Sequence, residues 1–350
     1  MNITVLVLAG GSGQRFWPLS TPEKPKQLLS LFSDQSMIRE TINRVLPLVP
    51  PDKIFIATNI MQYKAIQKEL PFIPVDNIII EPAFKDTAAA IGYGSLYINQ
   101  SYPDSEVIVL ASDHLIKDEI NFRNVLKIAV NEAHENRTIV TLGIKPSKTE
   151  IGYGYIETEP DTKLEEVSQV KRFCEKPNYD LARCYVESGN YFWNSGMFVF
   201  SIKTIFEEFK AYLPKHYSNL MRLKTIIETG LWGEELSKEV AFNFEVFEKV
   251  SIDYGIMEHS NRIKVIPSDF GWNDIGSFTA LEDVFEPNEN GTVFKTATIN
   301  ELNSKNNIII GANTYIATIG IEGVVIIQTE NVLLICKKDQ LHDIKKLLSS

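Results

Sequence analysis

Short apolar runs alternate with amphipathic stretches over the first 145 residues of the chain. The runs occupy residues 3–8, 54–57, 77–80, 107–110 and 139–142. Between them, apolar residues recur at helical spacing in the segments 37–48, 88–98 and 122–133. Buried strands separated by amphipathic helices are typical of a parallel sheet with helices on both faces. The pattern predicts an α/β fold with a Rossmann-like three-layer domain.

The pattern changes after residue 150. Residues 151–200 are rich in aromatic residues and read as strands around one helical stretch near residues 181–187. We interpret them as an inserted antiparallel part of the same sheet, which makes the central sheet mixed. Residues 203–260 have a helical pattern, and the strand-like run 263–266 leads into a Gly-Trp-Asn-Asp turn. These segments predict that the first domain extends over residues 1–288.

The last part of the chain has a different character again. Beyond residue 290, β-branched runs at 306–310, 315–321, 324–328 and 332–335 are separated by Asn and Gly. Such short runs with turn residues between them are typical of strands. An amphipathic tail begins at Asp339. We therefore predict a small, β-helix-like C-terminal domain, residues 289–350, that ends in a helix.

Composition narrows the classes of function. The chain has 350 residues with a formal net charge of -10, which argues against a broad basic face for nucleic acid. Its three cysteines form no C-x-x-C pair, so we expect neither a disulfide framework nor a structural zinc site, and a cytoplasmic location fits. No apolar run approaches the ~20 residues of a membrane span, and the first run lacks the features of a signal peptide.

A glycine-rich loop follows the first predicted strand. Glycine lets the backbone approach a phosphate closely and direct N–H groups at its oxygens, and Arg15 and Lys26 would add positive charge. The spacing matches neither the dinucleotide-binding glycine pattern nor the Walker pattern. A flexible surface turn is the alternative, and the two cations make it less favoured. The loop reads Leu8-Ala9-Gly10-Gly11-Ser12-Gly13-Gln14-Arg15, with Pro25-Lys26-Gln27 after it.

The segment 8–28, LAGGSGQRFWPLSTPEKPKQL, resembles the signature of sugar-phosphate nucleotidyltransferases. Its portions 16–20 and 25–28 are similar to members that use GTP and mannose 1-phosphate, so the resemblance implies formation of GDP-mannose and pyrophosphate. It also implies that Arg15, Lys26 and Asp113 are the catalytic residues. The nucleotide-binding residues would be Leu8, Ala9, Gly10, Gly11, Gly13, Arg15, Lys26, Glu81, Thr87 and Asp113.

Two acids stand where a metal site would be expected. Asp113 follows the buried run 107–110, and ligands of open α/β sheets bind at the carboxyl ends of strands. Asp274 lies in a glycine-flanked turn. Carboxylate and phosphate oxygens suit Mg²⁺. A helix N-cap for Asp113 and a turn acid for Asp274 are the alternatives, but the resemblance implies Mg²⁺ on both. His114 is assigned a structural role, because no second histidine has metal-ligand spacing.

The resemblance also assigns the sugar and base contacts. Sugar-phosphate binding would fall to Gly154, Glu175, Lys176 and Asn194, which individually are equally consistent with turns and strand bends. Glu81 would accept hydrogen bonds from guanine. The chain departs from the family at Lys85-Asp86-Thr87-Ala88-Ala89, where Arg-Asn-Thr-Ala-Pro is usual, and this departure falls in the segment that resembles the base-binding one. Asp253 is interpreted as a brace and left outside the site.

Two other functions remain open. The chemistry could serve another pair of sugar 1-phosphate and nucleoside triphosphate, or the chain could be a non-catalytic regulatory subunit that binds nucleotide sugars. The joint presence of Arg15, Lys26, Asp113 and Asp274 argues against the second. The C-terminal region resembles one that helps to form a dimer in relatives, so a homodimer is compatible with the resemblance.

Overall fold

The computed structural model describes residues 1–11, 13–229, 233–295, 298–311 and 315–349. These residues form two compact units. The first contains Met1–Gly10, Arg39–Ser112 and Ile116–Trp272, and the second contains Gly11–Ile38, Asp113–Leu115 and Asn273–Ser350. Because these units group residues in space, the predicted division along the sequence at residues 288 and 289 stays a prediction.

The five apolar runs of the first 145 residues all contribute to strands, as the hydrophobic pattern predicts. The strands are β1 Ile3–Leu8, β2 Ile54–Asn59, β3 Ile78–Glu81, β4 Glu106–Ala111, β5 Leu115–Ile116, β6 Ile139–Ile144, β7 Tyr155–Glu157, β8 Ser168–Gln169, β9 Arg172–Cys174, β10 Tyr191–Ser201, β11 Ile263–Ser268, β12 Trp272–Asn273, β13 Val293–Lys295, β14 Thr298–Leu302, β15 Ile308–Gly311, β16 Tyr315–Ile319, β17 Val324–Gln328 and β18 Leu333–Lys337. The α-helices are α1 Met37–Val45, α2 Ile60–Glu69, α3 Asp86–Ser101, α4 Glu119–Asn136, α5 Tyr179–Ser188, α6 Ile202–Tyr212, α7 Pro214–Glu228, α8 Gly233–Phe244 and α9 Ile344–Ser349.

The first unit is built on one large mixed sheet with the strand order β3-β2-β1-β4-β10-β6-β11-β8. Strands β1 to β4 are parallel, as the unbroken apolar runs predict. Strand β10 is antiparallel to both of its neighbours, β4 and β6. The predicted antiparallel insertion is therefore confirmed, and it lies in the middle of the sheet. The predicted mixed α/β fold class is confirmed with it.

The strand order reverses direction at β1. The chain moves outward from β1 to β2 and β3, then returns to place β4 on the other side of β1. Because parallel crossovers are right-handed, α2 and α3 lie on opposite faces of the sheet. Leu8 and Ala111 pair at the carboxyl ends of β1 and β4. This is the topological switch point at which open α/β sheets bind ligands.

The second unit contains the predicted small β domain. Strands β13, β15 and β17 are parallel and in register, so Val293, Ile308 and Val325 stack above one another. Strands β14 and β16 form a separate parallel pair. The chain thus alternates between two parallel sheets, which is the arrangement of a β-helix-like coil. The tail forms a 3₁₀ helix, Lys338–Asp343, followed by α9, so the predicted terminal helix is confirmed.

The three cysteines, Cys174, Cys184 and Cys336, are free thiols, in agreement with their spacing in the sequence. Within the part of the chain that the structure describes, no helix has both the length and the apolar character needed to cross a bilayer.

Candidate active site

The glycine-rich loop is fixed by Gly13. This residue has φ 60° and ψ 19°, in the left-handed region, at the start of a short 3₁₀ helix, Gln14–Phe16. A Cβ at position 13 would lie 2.5 Å from the backbone nitrogen of Lys26 and 2.7 Å from its Cβ, so only glycine fits. The carbonyl of Gly13 also accepts a hydrogen bond from Ser20 Oγ at 2.7 Å. The loop is therefore locked against the segment that carries Lys26.

Lys26 connects the loop to the two predicted acids. Its side chain is only 7% exposed. The ammonium donates to Asp113 Oδ2 at 2.8 Å and to the backbone carbonyl of Asp274 at 2.7 Å. It also lies 5.6 Å from the centre of the Phe16 ring. Three residues that the sequence assigns to one site thus meet in the second unit.

The carboxyl group of Asp113 is held in its ionised form. Burial acts to raise the pKa of Asp113, but the charges of Lys26 and His114 and the hydrogen bond from Lys26 outweigh it and leave this pKa below its ordinary value. Asp113 therefore presents a carboxylate to the ammonium of Lys26. His114 lines the same cavity as Asp113, and its predicted structural role stays a prediction.

A cavity of 280 Å³ opens at this pair. It contains five of the predicted site residues, and Gly11, one further predicted residue, lies in the same unit but outside the lining. Ser12 lies outside the described residues. The sequence analysis did not assign the other lining residues to the site. The lining consists of Gly13, Gln14, Arg15, Phe16, Lys26, Asp113, His114, Asp274, Gly276 and Lys345.

The donor groups of this cavity fit a hard divalent cation. Asp113 and Asp274 both line it, and oxygen ligands are those that Mg²⁺ prefers. Gly276 donates its N–H to Asp274 Oδ1 at 3.0 Å, and a Cβ at 276 would lie 3.0 Å from Asp274 Oδ2. The glycine thus leaves room for this carboxylate. The described residues include no cluster of three or more metal-binding side chains, so a cation here would need substrate or water oxygens as well.

The first unit holds the other predicted nucleotide residues. Glu81 ends β3 and is only 8% exposed, and burial raises the pKa of its carboxyl to about 7. A Cβ on Gly10 would lie 3.3 Å from Glu81 Oε1. Ala9, which follows Leu8 of β1, donates its N–H to Ala57 and accepts at its carbonyl from Thr58. The carboxylate of Glu81 therefore lies against the start of the glycine-rich loop.

Thr87 has a structural contact of its own. Its hydroxyl accepts a hydrogen bond of 2.8 Å from the backbone N–H of Ile252, which precedes Asp253. This bond ties the first turn of α3 to that later segment. A hydroxyl that accepts one bond still has a proton to donate, so a nucleotide contact by Thr87 stays a prediction.

The four predicted sugar-phosphate residues meet at the edge of the sheet. Glu175 follows β9, and its side chain is 7% exposed. Its Oε1 accepts from Lys176 Nζ at 2.5 Å, whereas its buried Oε2 has no hydrogen-bond partner within the described chain. Gly154 leaves the space that Oε2 occupies. The backbone N–H of Asn194 donates to the carbonyl of Gly154 at 2.8 Å. A buried carboxylate oxygen without a donor is suited to bind a hydroxyl group.

Asp253, for which the sequence predicts only a bracing role, belongs to the same cluster. It accepts a hydrogen bond of 2.8 Å from Asn194 Nδ2. Burial, with a smaller effect of the Glu175 charge, raises the pKa of Asp253 to about 6. The signal available in the sequence was the segment Ser251-Ile252-Asp253-Tyr254-Gly255, which resembles the family.

Comparison with known proteins identifies the family. Residues 4–291 match the nucleotidyl transferase family, and residues 299–350 match the MannoseP isomerase/GMP-like beta-helix domain. The chain belongs to the nucleotidyl transferase family. The resemblance of the segment 8–28 is thus confirmed.

Individual relatives cover most of the chain. A Salmonella muenchen protein named mannose-1-phosphate guanylyltransferase is 36% identical over 98% of this chain and 72% of its own length. A crystal structure from Thermus thermophilus, described as a mannose-1-phosphate geranyltransferase, is 31% identical with a TM-score of 0.88 over 100% of this chain and 99% of that one. A Helicobacter pylori structure described as a mannose-6-phosphate isomerase is 28% identical with a TM-score of 0.62 over 78% of this chain and 100% of its own.

Proposed function

We propose that this protein is a mannose-1-phosphate guanylyltransferase, which transfers GMP from GTP to α-D-mannose 1-phosphate and releases pyrophosphate. The observation that carries the proposal is the buried ammonium of Lys26, which lies between Asp113 and Asp274 beside the loop fixed by Gly13. Relatives with this activity in their names support the choice of substrates. The product is a nucleotide sugar, so the chain is a biosynthetic transferase.

The chemistry requires positioning and charge more than proton transfer. A phosphate oxygen of mannose 1-phosphate attacks the α-phosphorus of GTP, and the bond from that phosphorus to the bridging oxygen of pyrophosphate breaks. The second pKa of a phosphate monoester is about 6, so the attacking group is already mostly dianionic at neutral pH. It needs no general base. Arg15 and Lys26 stabilise the negative charge that pyrophosphate gains as it leaves.

The other predicted site residues bind the nucleotide and the sugar phosphate. The backbone of Leu8, Ala9, Gly10, Gly11 and Gly13 takes the phosphates and ribose of the nucleotide. Glu81 accepts from the N1–H and amino group of guanine, and Thr87 contributes its hydroxyl. On the sugar side, the unpartnered Oε2 of Glu175 and the amide of Asn194 bind hydroxyl groups. Gly154 leaves the space that this Oε2 occupies, and Lys176 binds the phosphate.

Members of the nucleotidyl transferase family typically use a divalent metal ion. We assign Mg²⁺ to Asp113 and Asp274, which line one cavity. When bound, the ion reduces the repulsion between the two phosphate groups. The chain's own contribution is to keep Asp113 ionised and to hold both acids beside the ammonium of Lys26.

A substrate panel tests the proposal. The purified protein is incubated with Mg²⁺, each of the four nucleoside triphosphates, and either mannose 1-phosphate or glucose 1-phosphate. Pyrophosphate release and the mass of the product are measured. We expect GTP with mannose 1-phosphate to be the fastest pair and EDTA to stop the reaction until Mg²⁺ is restored. Pyrophosphate release with only another pair would show that the protein uses that pair instead. No pyrophosphate release with any pair would favour the non-catalytic regulatory function.

The name of the Helicobacter pylori structure favours one second function, the isomerisation of mannose 6-phosphate. The same preparation is therefore tested for fructose 6-phosphate formation. An isomerase substrate carries a single phosphate, whereas the cavity combines a glycine-fixed loop with several cations. That arrangement suits a polyphosphate, so we expect no isomerisation.

Free thiols at all three cysteines suit the cytoplasm, where nucleoside triphosphates are made. We further propose two domains, residues 1–288 and 289–350, and a homodimer formed through the C-terminal domain. Light scattering after gel filtration measures the molar mass and hence the oligomeric state. Limited proteolysis shows whether cleavage concentrates near the proposed domain boundary at residue 288.

A further inference from the structure

A lysine from the end of the chain lines the cavity that holds the glycine-rich loop. Lys345 is the second residue of α9 and lies in the same lining as Arg15, Lys26 and Asp113. We propose that Lys345 binds the β- and γ-phosphates of the nucleoside triphosphate, and the pyrophosphate released from it. This inference rests on the proposed nucleotidyl transfer, but it does not depend on which base the nucleotide carries.

The position of Lys345 is fixed by the core of the second unit. Ile344, its neighbour, is only 4% exposed and belongs to the same buried cluster as Phe16 and Phe278. Helix α9 contacts the 3₁₀ helix Gln14–Phe16, which also carries Arg15. One buried cluster therefore anchors both the helix of Arg15, through Phe16, and the helix of Lys345, through Ile344. The two cations are held at one cavity by the same packing.

A second contact anchors the segment before α9. Lys338, at the start of the preceding 3₁₀ helix, forms an ion pair of 2.6 Å with Glu282. Leu341 of that 3₁₀ helix is buried in the same cluster as Ile344. The chain that leads to Lys345 is thus attached by packing and by charge, so its location is not that of a loose terminus.

The charges of the cavity explain why a third cation would be useful. The lining contains the cations Arg15, Lys26 and Lys345 and the carboxylates of Asp113 and Asp274. Lys26 is already engaged with Asp113 and with the carbonyl of Asp274. Without Lys345, the two positive charges of Arg15 and Lys26 would only balance the two negative charges of Asp113 and Asp274. With it, a chain of net charge -10 has a local positive excess where a polyphosphate must bind.

The adjacent lysine offers a matched control. Lys346 lies on the same short helix, but its ammonium pairs with Asp343 at 2.6 Å, and it is not part of the cavity lining. Lys346→Ala removes one positive charge from α9 and leaves the cavity unchanged. A loss of binding seen with Lys345→Ala but not with Lys346→Ala must therefore come from the position of Lys345 in the cavity.

The test uses full-length Lys345→Ala, Lys345→Arg and Lys346→Ala proteins, each checked by circular dichroism and thermal melting. Calorimetry measures binding of GTP and of GMP with Mg²⁺, since GMP lacks the outer phosphates. We expect Lys345→Ala to weaken GTP binding about tenfold and to leave GMP binding within about twofold. In the reverse reaction, KM for pyrophosphate should rise by about the same factor, while Lys345→Arg and Lys346→Ala stay near the wild type.

Two results would overturn the inference. Equal GTP affinities for Lys345→Ala and Lys346→Ala would show that the outer phosphates do not contact Lys345. Equal losses for GTP and GMP would show a general disturbance of the site. If the wild-type protein transfers a nucleotide but Lys345→Ala behaves like the control, only this inference fails. If the wild type transfers none of the four nucleotides, the proposed function fails with it.

Discussion

The ammonium of Lys26 lies 2.8 Å from Oδ2 of Asp113, although 87 positions separate the two residues in the sequence. The contact keeps the carboxyl group ionised and the lysine in one place before any substrate binds. Groups that are already oriented need no rearrangement when charge develops in a transition state. The pair is therefore prepared for chemistry on phosphate groups.

Removal of either partner should nearly abolish turnover. We expect Lys26→Ala and Asp113→Ala to lower kcat by about 10² to 10³, which is typical for the loss of a preorganised charge in an active site. Pyrophosphate release measures the rate, and circular dichroism shows whether the fold is retained. Lys24→Ala is the control, because Lys24 is exposed and does not line this cavity. Rates for Lys26→Ala or Asp113→Ala within twofold of that control would refute the assignment.

Two glycines of one loop should respond differently to alanine. Gly13→Ala places a Cβ 2.5 Å from the Lys26 backbone at a positive φ, so we expect a loss of about 1–3 kcal/mol in unfolding free energy and a large loss of kcat. Gly11→Ala meets no described atom within 4 Å and should change stability by less than about 0.5 kcal/mol. Urea unfolding measures both. Equal stability changes would contradict the packing of Gly13 on Lys26.

Glu81 should make both nucleotide binding and stability depend on pH. The pKa of Glu81 is about 7 in the folded protein, above the ordinary 4.5, so the folded state binds the proton more tightly than the unfolded state does. The Glu81 carboxyl therefore lowers the free energy of unfolding as pH rises from about 4.5 to 7, and this loss is complete above pH 7. We expect Glu81→Gln to raise the unfolding free energy by roughly 1–3 kcal/mol at pH 8 and to have little effect at pH 4.

The same variant should bind GTP more weakly at pH 8, where the wild-type carboxylate accepts from guanine. Wild-type affinity for GTP should fall as pH drops below about 7, and Glu81→Gln should lose this dependence. Calorimetry at pH 6 and pH 8 measures both proteins, with the exposed Glu235→Gln as control. A wild-type affinity that stays constant over this range would exclude Glu81 as the base acceptor.

A substitution at Gly154 should act on the sugar substrate. Its new Cβ would collide with Oε2 of Glu175 and displace that buried carboxylate. We expect Gly154→Ala to raise KM for mannose 1-phosphate about tenfold or more while GTP affinity stays within about twofold. Gly152→Ala serves as control, because its Cβ would come no nearer than 3.3 Å to the side chain of Glu150. Unchanged KM for the sugar in Gly154→Ala would show that Glu175 does not contact it.

The hydrophobic pattern predicted the local elements well. Apolar runs became β1, β4 and β6 because a strand buried on both faces needs an unbroken apolar sequence. The same pattern could not place β10 between β4 and β6, because the choice of a strand's neighbours depends on contacts far apart in the sequence. Local periodicity contains no information about such pairing.

For the site, too, local sequence predicted some residues and missed those that depend on the folded chain. Gly13 and Lys26 were predicted because their residue types, in one loop, already indicate phosphate chemistry. Asp253 was not, since an acid at the start of a helical segment can equally cap or brace that helix. Lys345 was not, since a lysine in an amphipathic tail looks like an ordinary surface residue. Only the folded chain shows that Asp253 accepts from Asn194 and that Lys345 lines the cavity with Arg15.

The central location of β10 also matters while the protein is being synthesised. A ribosome must complete residue 201 before β10 can join β4 and β6, which were finished by residue 144. Until then, the nascent chain presents two strand edges with unsatisfied backbone groups, and such edges recruit other strands. Slow translation across residues 145–190 should therefore promote aggregation, and a chaperone that shields those edges should raise the yield of native protein.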